Sequence, residues 1–252
     1  MDSADLAEKL AATIHEGLGV DALVLVSLQP DPAAAASAIS AAVNTLYKSY
    51  RDVGGMVLAA YLGVTWCLGQ ASLQTDAQTE TALRRRAHAM SFNAAANCWP
   101  GWGDEGVTIG RAHVIAGLSL AGTCLSLSRD LELGPKAQGK AYWLVGALEL
   151  ALGHLGAARA AFQDAERSNV LADGEGAGAL MAKAYDALAA KHEQANSDEA
   201  GSALQRGLAR LRSHGSEDAQ FFADQIERAE RIFDARSGVC WPPEGTARTG
   251  CS

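Results

Sequence analysis

GKAYWLVGALELALGHLGAARAAFQDAERS, residues 139–168, spells two helices folded back on each other. Alanine and leucine dominate both halves, and alanine gives up no side-chain entropy in a helix. Gly146 removes bulk from the first helix, and Ala158 does the same from the facing side of the second. Between them Gly153 and Gly156 supply the positive φ or unhindered backbone that a short helix–helix turn demands. Phe162 and Ala165 share one face of the second helix, because three- and four-residue spacings stack.

These residues resemble the tetratricopeptide repeat (TPR): aromatic and small residues on the first helix, glycine at the turn, then Ala158-x3-Phe162-x2-Ala165 on the second. The likeness covers about one repeat, residues 139–172. It implies an all-α fold, a right-handed α-α superhelix of helix hairpins with about nine or ten helices here. In TPR proteins the first helices of successive hairpins expose a concave surface that holds an extended or helical peptide. Carried onto the matched unit alone, that surface comprises Lys140, Trp143, Ala147, Leu150 and Ala151. Lys140 would meet an acidic side chain or a terminal carboxylate, while Trp143 and Leu150 would supply apolar area. The resemblance thus implies a non-catalytic scaffold for a protein or peptide partner. The competing arrangement has the terminal helix or tail covering these residues and making them core.

The pattern returns after Ser168, with Ala182 and Tyr185 on a first helix and Ala200, Leu204 and Gly207 repeating the four-then-three spacing. Only six prolines occur, and none falls between Lys136 and Trp241, so the strongest helix breaker is missing from that span. Before it, helical spacing covers Ser3–Gly17, Pro32–Arg51, Met56–Leu73, Asp76–Asn97 and Val107–Leu131. Gly54-Gly55 is expected to break the third of these segments from its predecessor. Val20–Leu28, VDALVLVSL, reads equally as a strand or a buried helix, and Met56–Leu73 is apolar nearly all round, which places it at the centre of a domain. Leu62-Gly63 with Trp66 looks like a degenerate first TPR helix, yet alternation counted back from residue 139 makes it a second one. Residues 1–236 form one expected domain, closed by the amphipathic helix Glu217–Arg236, with 237–252 as a tail whose Trp241 could tuck into a groove.

At 252 residues and a net charge of −8 the chain is a poor match for nucleic acid. Arg84-Arg85-Arg86 points three ways on a helix and reads as a solvated face. The five cysteines form an odd set without metal-ligand spacing, as in a reduced thiol pool. The six histidines show no zinc pattern, so neither metal nor cofactor is expected. The start MDSADLAEKL is unlike a signal peptide, and no uncharged apolar run reads as a membrane span. The expectation is a cytoplasmic protein without membrane contact, able to form a homo-oligomer.

Two glycine motifs compete with the scaffold. Gly101-Trp102-Gly103-Asp104-Glu105-Gly106 spells G-x-G-x-x-G but follows a Cys-Trp-Pro turn and places two acids where pyrophosphate would sit, so its glycines read as turn residues. Gly117-Leu118-Ser119-Leu120-Ala121-Gly122 resembles the nucleophile elbow of α/β-hydrolases. That alternative is an esterase with Ser119 as nucleophile and His214 as base, and it requires a parallel sheet. Trp99 and Trp102, in Gly/Pro-rich text, either pack on the helices or anchor a partner.

Overall fold

The computed structural model describes residues 2–194 and 198–236. Trp241, the second Cys-Trp-Pro and the tail lie outside the described residues. The described residues hold no strand and eleven α-helices: α1 (Ser3–His15), α2 (Gly19–Ser27), α3 (Pro32–Lys48), α4 (Val53–Ser72), α5 (Ala77–Asn97), α6 (Arg111–Asp130), α7 (Pro135–Leu152), α8 (Leu155–Asp173), α9 (Ala177–Glu193), α10 (Asp198–Ser213) and α11 (Glu217–Arg236). The chain is therefore all-α. One turn of 3-10 helix, Pro100–Trp102, interrupts the link between α5 and α6.

Local chemistry sets the starts. Carboxylates of Asp2, Asp31, Asp52 and Asp76 cap α1, α3, α4 and α5 by accepting from first-turn N–H groups, which satisfies donors a helix leaves orphaned. Asp52 also corrects the expected break at Gly54-Gly55. The chain turns earlier, where Arg51 takes φ 54°, and both glycines lie inside the first turn of α4. The Asp52 cap requires one of them, since a Cβ on Gly55 would stand 2.5 Å from its Oδ2. Val20–Leu28 falls within helix α2 and its C-cap, of which only Ala22 and Val26 are buried. Their four-residue spacing seats one edge of a short helix on the core.

Each helix from α3 onward packs on the next in sequence, and α3, α5, α7, α9 and α11 also touch in series along one side. By that alternation α4 falls in register with α6, which it also touches. Nor is α4 central all round. Met56, Ala59, Ala60, Gly63, Val64 and Cys67 are buried, but Leu58 and Tyr61 stay exposed beside Val20 and Leu23 of α2, because α2 is too short to cover that face. The twenty residues of α4 carry no charge and are long and apolar enough to cross a bilayer by length and composition, which corrects the expectation that no segment qualifies.

The α7–α8 hairpin closes as its small residues require. Gly153 ends α7 at φ 79°, whereas Gly156 is helical. A Cβ on Gly146 would lie 2.7 Å from the Phe162 ring and 3.1 Å from the Ala158 carbonyl oxygen. In α11 the buried stripe is Ala219, Ala223, Ile226, Ala229 and Phe233, while Phe221 projects to solvent at 55% exposure. Cys67, Cys98 and Cys124 are buried free thiols, pushed up by burial to about 11, 12 and 11, so none is a ready nucleophile.

Two half-buried histidines predict how the stability of the fold depends on pH. Ser128 donates its hydroxyl proton to the Cys124 carbonyl at 2.9 Å, so His88, 2.8 Å away through Nε2, is left to donate its Nε2–H to Ser128. Burial, with Arg85 adding to it, lowers the His88 pKa, and burial lowers that of His192 against the opposing pull of Asp234. The unfolded chain takes up these protons near the ordinary imidazole value of about 6.5, before the folded one does. Their stabilisation is present above that pH and is lost as pH falls toward the lower folded values. Urea midpoints should therefore decline from pH 7.5 to 5.5, and decline less in a His88→Gln/His192→Gln variant. Parallel curves for the two proteins would contradict the assignment.

Candidate functional site

The side of the molecule where α5, α7, α9 and α11 follow one another holds a cleft of about 510 Å³, within the usual range for binding sites. Phe92 of α5 and Trp102 of the 3-10 turn form one wall, and Lys136, Lys140 and Trp143 of α7 another. Asn169 and Asp173 of α8, the first turn of α9 with Met181, and Phe221, Phe222 and Gln225 of α11 complete it. Past Phe92, Lys136 and Lys140 a second hollow of about 450 Å³ continues over His88, Asn93 and Leu133. The two hollows share Phe92, Lys136 and Lys140 as lining residues.

An aromatic cluster lies behind it. Trp99 is fully buried and meets Trp102, Trp143 and Tyr185 edge-on at centroid distances of 5.0, 5.6 and 5.9 Å, a geometry that aromatic quadrupoles favour. Tyr185 in turn stacks on Phe162 at 5.3 Å. Gly101 is required here, because its Cβ would stand 2.2 Å from the Trp99 ring. Trp102 is held by its Nε1–H donating to the Ala96 carbonyl at 2.7 Å and by Arg228 donating to its own carbonyl at 3.1 Å. Asp104 accepts from the Tyr47 hydroxyl at 2.6 Å, and burial with that bond pushes the phenol far up. The loop is thus tied to α5, α11 and α3, and its two tryptophans pack on the helices. Trp102 also faces the cleft.

Polar groups along the cleft are unevenly satisfied. Asn169, 8% exposed, donates to the Gly178 carbonyl at 3.2 Å, and Gly139 must lack a side chain because its Cβ would lie 2.6 Å from the Asn169 Oδ1. Lys136 pairs with Asp173 at 3.0 Å. Trp143 Nε1 and Gln225 Oε1 have no hydrogen-bond partner among the described residues. Each such buried orphan costs about 1–3 kcal/mol.

Of the residues carried over from the TPR likeness, Lys140 and Trp143 line the cleft. Lys140 is exposed, and Trp143 keeps 6% of its surface. Ala147, Leu150 and Ala151 belong to the hydrophobic core at 0%, 4% and 7% exposure. Trp143 belongs to that core too, so of this strip of α7 only Lys140 is open, and Trp143 is a core residue that also lines the cleft. Gln225, Asn169 and Phe92 join the site without a place in the sequence expectation, and Phe222 comes from the terminal helix expected as a possible cover. The one signal pointing to Asn169 is its pairing with small residues, Gly139 and Gly178, on the neighbouring helices.

The hydrolase alternative fares poorly. Ser119 sits mid-helix in α6 and accepts through its carbonyl from the Thr123 hydroxyl at 3.1 Å, with no strand before it. His214 lies beyond α10, bonded to Ser216 at 3.0 Å. A helix offers neither the strained elbow nor the sheet this chemistry needs. Gly103 and Gly106 take φ 64° and 74° in the loop, as turn glycines do. Among the described residues no three His, Cys, Asp or Glu side chains gather as metal ligands.

No family model, curated protein or solved structure matches the chain, so the likeness of residues 139–172 to a TPR unit rests on those residues alone.

Proposed function

We propose that this protein is a non-catalytic scaffold whose hairpins form a right-handed, TPR-like superhelix and whose concave side binds a peptide segment of a protein partner. The observation that carries the reading is that the cleft is lined by successive alternate helices, α5, α7, α9 and α11. Such a surface suits an extended chain better than a compact metabolite. Phe221 at its edge is exposed and meets Phe222 at 5.9 Å, an apolar anchor of the kind that dominates interfaces.

Random twelve-residue peptides displayed on phage, selected on the immobilised protein and then synthesised, test this. Selected peptides should bind the wild type, and about tenfold or more weakly to Phe221→Asp, since losing an aromatic anchor costs above about 1 kcal/mol. The substitution is at an exposed position and should leave the unfolding midpoint within about 0.5 kcal/mol of wild type. Enrichment of no peptide, or equal binding by Phe221→Asp and Lys140→Glu, would remove the groove.

A further inference from the structure

We infer that the cleft takes an uncharged amide, presented by a peptide segment with an apolar side chain, and that Trp143 and Gln225 are the residues that read it. The inference rests on the groove reading above and specifies its ligand. Trp143 and Gln225 come from α7 and α11, line the same cleft, and are 6% and 5% exposed. An indole N–H can only donate, and a carboxamide oxygen can only accept. Both are buried without a partner, as are Trp99 Nε1 and Tyr185 Oη behind them, although native proteins pair nearly all such groups; of these residues only Trp143 and Gln225 line the cleft. The missing complement is an acceptor for Trp143 and a donor for Gln225, and a peptide unit carries one of each.

Charge points the same way. Lys136 is already paired with Asp173, and the other charges at the cleft, Lys140 and Asp218, are of opposite sign and exposed. A carboxylate or ammonium carried to the floor would lose its water with no counter-ion there, whereas an amide loses far less and regains it in hydrogen bonds. Phe92, Met181 and Phe222 then receive the apolar side chain beside that amide. Two ordered waters could satisfy the same atoms, and the test separates the cases.

The probe is N-acetyl-L-leucinamide, titrated into nitrogen-15-labelled protein. The Trp143 indole proton should shift downfield as the probe binds, and N-acetyl-L-leucine, the same body with a carboxylate, should bind about tenfold more weakly or worse. Gln225→Met removes the orphan while keeping the shape. It should raise the Tm of the free protein by about 2–4 °C and weaken both the probe and a phage-selected peptide about tenfold. Trp143→Phe, which keeps a ring, should weaken them similarly. An indole resonance that stays in place at the highest soluble probe concentration overturns the inference, as does an acid that binds as well as the amide. Selected peptides that are lost in Phe221→Asp but bind Gln225→Met and Trp143→Phe like wild type leave the groove standing and remove the amide. Selected peptides that bind all three variants like wild type remove both.

Discussion

Trp99→Ala should be among the most destabilising single substitutions in the chain, lowering stability by about 3–5 kcal/mol and Tm by about 6–20 °C for a domain of this size. The ring is fully buried and touches Trp102, Trp143 and Tyr185, so its removal leaves a cavity that three large, mutually packed rings cannot collapse into. The same geometry predicts a coupling. Gly101→Ala alone places its Cβ 2.2–2.6 Å from three atoms of the Trp99 ring, and a rigid indole with no free surface cannot yield to it. That variant should lose about 1–3 kcal/mol by overpacking. In the Trp99→Ala background the clash is gone, so the second substitution should cost almost nothing and the pair should fall well short of additive. Denaturant midpoints of the four proteins measure this directly. Additive losses would mean that the loop, and not the ring, limits residue 101.

Trp99 also marks where sequence reading succeeds and stops. Its burial follows from the cost of leaving a large ring wet, but its neighbours do not, since Trp143 and Tyr185 come from helices far along the chain. Helical periodicity and proline placement made the all-α class legible, because both are local properties of three- and four-residue spacing. Val20–Leu28 stayed ambiguous because a short apolar run satisfies either period until its surroundings are known, and in α2 only Ala22 and Val26 meet the core. The site was half legible. Lys140 and Trp143 could be placed through one well-patterned hairpin, whereas Gln225 could not, as its significance lies in lacking a partner. An orphan acceptor exists only once every neighbour is in place. Leu150 shows the converse: it lies two turns from Trp143 along one strip, and both are buried by core packing that α7 alone does not reveal.

Gly146→Leu should destabilise the fold by about 1–3 kcal/mol or more, against the direction set by helix propensity. Any residue replacing glycine in a helix interior gains up to about 1 kcal/mol from a stiffer unfolded chain, so a net loss identifies packing as the stronger effect. The Cβ alone would meet two atoms of the Phe162 ring at 2.7 Å. That ring has no exposed surface and stacks on Tyr185 at 5.3 Å, so relief requires α7 to move away from α8. Such a shift would also displace Trp143, one turn before Gly146 on α7, and should weaken peptide binding along with stability. Gly156 provides the internal control. It is helical, without positive φ, and a Cβ there meets nothing within 4 Å. Gly156→Ala should therefore stabilise the protein by up to about 1 kcal/mol and leave binding unchanged. Urea midpoints moving in opposite directions for two glycines of one hairpin would establish the contact between α7 and Phe162. If Gly146→Leu instead tracks Gly156→Ala upward, the pairing of the two helices is misassigned.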